Sequence, residues 1–317
     1  MVNQLIKEAL FKDIALIDKK LSQIVKPGSR LTADVYKQVI ESGKRLRPLI
    51  VLYSAFACGF DNKDEAVLLG SIVELIHTAS LLHDDIVDGS THRRGRESAN
   101  VKFGVLPAVL GGDYLYSLAY NMVLDFDKQI AREISRAAYM LAEGEIKEIE
   151  IAYDATVKLD DYYDVIYKKT AVLLEASAVS GALLAASDYD EYLEIYGRNL
   201  GFAFQIRDDC LDYMASLDQM GKDTGVDLKE GKVTLPVLYA MQEKPDLREL
   251  LCDYFTYKND ERFEEIFRIV KRFGLEKANM EASMFSERAK AALRQLPESN
   301  YRDYLEAIAD YAVERER

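Results

Sequence analysis

The residues best suited to chemistry are three pairs of adjacent aspartates, each followed by a third: Asp84, Asp85 and Asp88; Asp160, Asp161 and Asp164; Asp208, Asp209 and Asp212. On a helix, positions i and i+4 lie about 40° apart, which puts Asp84 with Asp88, and Asp208 with Asp212, on common faces. The first set follows "IVELIHTASLLH" and the second "NLGFAFQIR", apolar stretches whose burial would crowd like charges into a poorly solvated place. A divalent cation removes that repulsion. Hard carboxylate oxygens favour magnesium, which commonly bridges a few carboxylates to phosphate groups. His77, His83 and His92 form no i, i+4 pair, so the spacing gives little support to zinc.

"DDYYD" at Asp160 to Asp164 reads differently. No apolar helix precedes it, and Asp160 and Asp161 stand where the helix carrying Val165, Ile166 and Val172 should begin. Capping and helix-dipole duty are expected there, rather than metal binding.

Basic residues surround the other two sets. Lys44 and Arg47 lie at i, i+3 in "GKRLRP", Arg93 and Arg94 follow the first aspartates, and Lys169 adjoins Thr170 in "YKKT". Lys222 and Lys232 punctuate the glycine-bearing stretch "GKDTGVDLKEGKVTLP". Distributed around two acidic sets, these cations suit phosphate anchoring. His77 precedes Asp84 by seven residues and shares its face, and Gln205 precedes Asp208 by three. No G-x-S-x-G or Cys-His arrangement suggests a side-chain nucleophile.

The elements that must position these groups are helices. Of the 317 residues, 49% are hydrophobic and 30% charged, with only 6 prolines and 17 glycines, as in a helix-rich globular chain. Segments of 3.6-residue periodicity predict helices near 3–25, 31–42, 44–57, 64–89, 106–126, 128–150, 159–186, 188–214 and 233–242, with more to the C-terminus. Alternating strand patterns are missing. The expected architecture is all-α, one large domain over 1–317, with the two apolar helices that end in aspartates entering a central cavity.

A net charge of −13 argues against a nucleic-acid surface. The cysteines Cys58, Cys210 and Cys252 are odd in number and widely spaced, which fits a reducing cytoplasm and no disulfide framework. The amino-terminal stretch spaces Leu10, Ile14, Ile17, Leu21 and Ile24 as a charged amphipathic helix, unlike a signal peptide. No uninterrupted apolar run approaches the roughly 18 residues of a membrane span. The longest, around 176–186, reads as a buried helix, against the rest of the fold or a partner chain.

Taken in order along the chain, "GKRLRP", "HDDIVDGSTHRRG", "YKKTAVLLEAS" and "FQIRDDCLDY" with its following "GKDTGVDLKEGKVTLP" resemble the trans-type isoprenyl diphosphate synthases, the polyprenyl synthetase family. Among these the chain is most like the long-chain, octaprenyl- or heptaprenyl-type members. The resemblance implies many antiparallel helices around a deep cavity, a cytoplasmic homodimer, and head-to-tail condensation of isopentenyl diphosphate with an allylic diphosphate. It implies Mg2+ on Asp84, Asp88 and Asp208, with Asp85, Asp209 and Asp212 as further carboxylates. Lys44, Arg47, His77 and Arg94 would hold isopentenyl diphosphate; Arg93, Lys169, Thr170, Gln205, Lys222 and Lys232 would hold the allylic diphosphate. Asp84, Asp88, Lys169, Asp208 and Lys222 would carry the catalysis.

The resemblance also marks Ala79 and Ser80 as the wall that limits product growth. Two small residues there imply a long product, which a membrane would receive although the enzyme does not span it. The alternatives are a farnesyl or geranylgeranyl diphosphate synthase, a terpene cyclase, and a silent regulatory subunit of the same fold. A cyclase would have no use for Lys44, Arg47 and Arg94, and a silent subunit would be expected to have lost one acidic set.

Overall fold

A computed structural model describes residues 4–40, 43–93, 95–214 and 224–315. The architecture is all-α. In chain order the elements are α1 (Gln4–Ile24), α2 (Arg30–Ile40), α3 (Leu46–Ala57), α4 (Lys63–Val87), β1 (His92–Arg93), β2 (Arg96–Glu97), α5 (Ala99–Phe103), α6 (Val105–Val123), α7 (Lys128–Ile151) and α8 (Leu159–Ile166). A π-helical turn (Tyr167–Ala171) leads into α9 (Val172–Leu184), followed by α10 (Asp190–Leu211), α11 (Val226–Lys229), α12 (Leu235–Glu243), α13 (Leu247–Tyr257), α14 (Asp260–Phe273), α15 (Leu275–Leu293) and α16 (Asn300–Glu314).

Four features depart from the periodicity reading, two of them the short helices α5 and α11, which lie where no helix was expected. The expected single helix over 159–186 contains the π turn, and β1 pairs antiparallel with β2, His92 opposite Glu97. Helix α4 is also long and apolar enough to cross a membrane by length and composition. It is instead mostly buried, Ile72, Val73, Leu75, Ile76 and Ala79 completely so, and it ends in carboxylates, which marks it as a core helix.

The chain divides into two compact units. The first comprises Met1–Ala138, Leu173–Glu194 and Gln295–Leu305. Within it α4 packs against α1, α3 and α6. Asn62 caps α4 by accepting from the Glu65 amide, and Asp64 and Glu65 complement the helix dipole. Between Lys44 and Leu46, Arg45 takes a left-handed φ of 53° and turns inward. Buried to 4% exposure, it pairs with Asp18 at 2.7 Å and Glu74 at 3.0 Å. This buried pairing turns Arg45 away from the flanking Lys44, which is exposed, and Arg47, which is half-buried.

The second unit comprises Tyr139–Val172, Ile195–Arg294 and Glu306–Arg317. Its core gathers Ile206, Cys210, Tyr213, Leu235, Val237, Phe267 and Val270. Two glycines set backbone approaches. A Cβ on Gly144 of α7 would meet the Lys169 amide nitrogen at 2.7 Å, and one on Gly201 of α10 would meet Ala171 Cα at 2.3 Å. The π turn is therefore in close backbone contact with both helices, and only glycine permits it.

Candidate functional site

In the first unit the last turns of α4 carry His77, Ala79, Ser80, Asp84 and Asp85, and Asp88 is the helix C-cap, its amide bonded to the Asp84 carbonyl at 2.8 Å. Asp84 and Asp88 thus keep helical spacing to the end, as the i, i+4 argument requires. Asp85 turns the other way and is 1% exposed. Its Oδ1 accepts from Arg93 Nε at 2.6 Å, and Arg93 Nη2 lies 2.6 Å from the same oxygen. Its Oδ2 has no hydrogen-bond partner among the described residues.

The β1–β2 hairpin places Arg93. Ser90 and Asn100 tie that segment back to α4: the Ser90 amide and Asn100 Nδ2 both donate to the Asp85 carbonyl, at 2.9 and 3.1 Å. Ala79 is fully buried, and Ser80 Oγ donates to the His77 carbonyl at 2.9 Å. Lys44 precedes α3 and Arg47 lies in its first turn; Arg94 lies outside the described residues.

In the second unit the π turn presents Lys169 and Thr170. Single π turns in α-helices recur at functional sites because the extra residue re-aims side chains. Thr170 Oγ1 donates to Gln205 Oε1 at 2.7 Å, and Gln205 Nε2 donates to Asp209 Oδ1 at 2.9 Å. Tyr162 donates to the other oxygen of Asp209 at 2.6 Å. Lys169 Nζ reaches Glu145 at 2.9 Å and Glu148 at 2.5 Å, both on α7. Lys232 lies 3.5 Å from the same Glu148 oxygen and 2.7 Å from Glu230. Two of the expected phosphate anchors thus share one carboxylate.

Asp208 is half-exposed and pairs with Arg315 at 2.7 Å. Arg315 is buried over the Phe204 ring at 3.6 Å and donates to the Phe204 carbonyl. Asp212 lies just past α10. Its two oxygens accept from the Val226 and Asp227 amides at 3.0 and 3.1 Å, so its carboxylate also fixes the segment entering α11. Lys222 lies outside the described residues.

The electrostatics of this cluster follow from burial and like charge. Burial pushes the Asp209 carboxyl up to about 7, the hydrogen bonds from Tyr162 and Gln205 oppose that, and Asp208 and Glu148 add to it. Asp212 is raised by burial against the pull of its backbone donors. Asp227 is raised well above the usual range, by burial first and then by Asp209 and Asp212. For Lys169 burial acts downward, but Glu148 and Glu145 outweigh it and the ammonium is held charged. Bunched carboxylates whose protons are held by burial and like charge are the donor set a hard divalent cation fits; at the first motif Asp85 is paired with Arg93, and its Oδ2 lacks a hydrogen-bond partner among the described residues.

"DDYYD" has the expected place. Asp160 and Asp161 lie in the first turn of α8, and Asp161 Oδ2 accepts from the Lys158 amide at 3.2 Å as half of a capping box. Several groups escaped the sequence reading. Glu145 and Glu148 sit on a charged helix that looks like solvated surface, Tyr162 lies inside the capping motif, and Arg315 is 107 residues from Asp208 (315 − 208). The only signal available was the i, i+3 spacing of the two glutamates.

The sequence model of the family described as Polyprenyl synthetase matches residues 29–273. The octaprenyl diphosphate synthase of Escherichia coli (strain K12) is 37% identical over 322 aligned residues, covering 100% of this chain and 95% of the relative. The crystal structure of a decaprenyl diphosphate synthase from Rhodobacter capsulatus superposes with a TM-score of 0.91 at 33% identity, covering 98% of each chain. A polyprenyl synthase from Caulobacter crescentus CB15, solved with calcium and isoprenyl diphosphate, gives a TM-score of 0.90 at 34% identity over 98% of this chain and 97% of that one. With its ordered motifs, its all-α fold and these matches along nearly its whole length, the chain belongs to the polyprenyl synthetase family of prenyltransferases.

Proposed function

We propose that this chain condenses isopentenyl diphosphate head-to-tail with an allylic diphosphate to build a long trans-polyprenyl diphosphate. The observation that carries the reading is the second unit's arrangement of crowded carboxylates on and beyond α10, with Lys169 and Lys232 held at one glutamate. Anionic groups that need a cation and cations parked on replaceable carboxylates together suit a metal-bound diphosphate.

Asp84, Asp88 and Asp208 are the proposed holders of Mg2+, with Asp85, Asp209 and Asp212 supporting them. When bound, the cation neutralises charge developing on the pyrophosphate leaving group. Lys169, Thr170, Gln205, Lys222, Lys232 and Arg93 bind and orient the allylic diphosphate. For Lys169 this means exchanging Glu145 and Glu148 for phosphate oxygens without losing its charge. Lys44, Arg47, His77 and Arg94 hold isopentenyl diphosphate so that its double bond meets the allylic carbon. The apolar face of α4 around Ala79 excludes water while the substrate carries positive charge. The isopentenyl double bond is itself the nucleophile, and the proton lost in forming the new alkene passes to the released pyrophosphate, so neither a side-chain nucleophile nor a side-chain base is required.

A long product is supported by the octaprenyl and decaprenyl names of the relatives and by the small pair Ala79 and Ser80. We further propose one catalytic domain over 1–317, a cytoplasmic homodimer, and transfer of the product to a membrane. Exposed Val105, Leu106 and Leu110 on α6 offer a partner surface in keeping with the dimer. Incubation with labelled isopentenyl diphosphate, Mg2+ and allylic primers of increasing length is expected to give Mg2+-dependent polyprenyl products longer than geranylgeranyl. No condensation with any primer would overturn the reading.

A further inference from the structure

We infer that Tyr162 is a positioning residue for the second acidic motif, acting through Asp209. The inference rests on the function proposed above. Tyr162 belongs to the capping motif, yet its own side chain faces inward and is 4% exposed. Its hydroxyl donates to Asp209 Oδ2 at 2.6 Å across 47 residues of sequence. With Gln205 Nε2 on Oδ1 at 2.9 Å, both oxygens of the buried Asp209 carboxylate are occupied by protein donors. A carboxylate held at both oxygens has one orientation, and the helix that carries it has one register against the elements holding it.

The same chain of bonds reaches the diphosphate anchors. Gln205 accepts from Thr170 at 2.7 Å, and Thr170 is adjacent in the π turn to Lys169. Tyr162 lies seven residues before Lys169 on the helical run that enters that turn. One hydroxyl therefore ties the start of the run to α10, and Thr170 with Gln205 ties its end. The tyrosine is itself wedged: its ring packs edge-on against Tyr163 at 5.5 Å, and Tyr163 donates to Glu281 at 2.8 Å. The neighbours Asp208 and Asp212 and the side chain of Lys169 are thereby aimed by a residue that touches no substrate. A short hydrogen bond to a buried carboxyl oxygen is among the stronger ones a protein makes, and losing one donor leaves the acceptor undersatisfied.

Tyr162→Phe removes the hydroxyl and keeps the ring. Binding of inorganic pyrophosphate in the presence of Mg2+, read by calorimetry, is expected to weaken about tenfold, the scale of one charge-assisted hydrogen bond. The KM for the allylic diphosphate and the Mg2+ concentration for half-maximal rate should rise in parallel, with the KM for isopentenyl diphosphate unchanged. Because the effect runs through Asp209, adding Tyr162→Phe to Asp209→Asn should cost little beyond Asp209→Asn alone. Pyrophosphate binding unchanged within twofold, a uniform fall in all parameters that tracks a lowered melting temperature, or strict additivity with Asp209→Asn would each overturn the inference. A wild-type protein that binds no Mg2+-pyrophosphate and condenses nothing would overturn the functional reading and this inference with it.

Discussion

Asp88 and Asp161 occupy related spellings and differ in what the chain around them requires. Asp88 is the C-cap of a long, mostly buried apolar helix, whereas Asp161 closes a capping box with the Lys158 amide. Asp88→Asn keeps the shape and removes a charge, and is expected to slow condensation about a hundredfold or more, as loss of a metal-site carboxylate does. Asp161→Ala should leave the rate within twofold and lower stability by about 1 kcal/mol, the worth of a cap. Steady-state kinetics and urea unfolding of both variants check this, and equal losses of activity would refute the division. The aspartates were legible because context along the chain distinguishes them. Their partners were not: Tyr162 meets Asp209 across 47 residues and Lys169 meets Glu148 across 21, and side-chain pairing over such separations leaves no local periodicity to read.

At the level of elements, most helix ends agree with the 3.6-residue pattern to within about four residues, the usual uncertainty of such boundaries. The π turn at Tyr167–Ala171 escaped because one extra residue inside a long helical run barely disturbs the apolar spacing. The β1–β2 pair, two residues a side, is too short to show alternation. Both irregular elements present groups assigned to chemistry, Lys169 with Thr170 and Arg93. The π turn depends on α10 coming within backbone contact at Gly201, four residues before Gln205. Gly201→Ala must push the two apart, since its Cβ would lie 2.3 Å from Ala171 Cα. The expected result is a stability loss of about 1–3 kcal/mol, the cost of overpacking, and weaker binding of the allylic diphosphate as Thr170 separates from Gln205. Gly28→Ala, where an added Cβ meets nothing within 4 Å, is the control. Should Gly201→Ala bind and turn over substrate like that control, the π turn does not depend on this approach.

For the whole molecule, the all-α class and the family were legible, but the division into two units was not, because four of its five boundaries fall inside α7, α9, α10 and α16 and only the one after Arg294 lies between helices. Composition shifts mark linkers, and a boundary within a helix has none. Product length is the property that depends on the largest part of the fold. Ala79, Ile76 and Val73 are all completely buried on α4, closed in by protein atoms; either those neighbours are fixed packing or they move aside for a growing prenyl chain. Ala79→Phe separates the two. Against packed side chains the larger ring must displace its neighbours and should destabilise the protein by about 1–3 kcal/mol with product length unaltered. Against a prenyl tunnel it fills space that the substrate would otherwise occupy, so the variant should fold with a melting temperature near the wild type and release shorter diphosphates, in the farnesyl to geranylgeranyl range. We expect the second outcome, read by chromatography of the dephosphorylated products alongside thermal unfolding. A stable variant that still makes the full-length product would move the limiting wall away from Ala79.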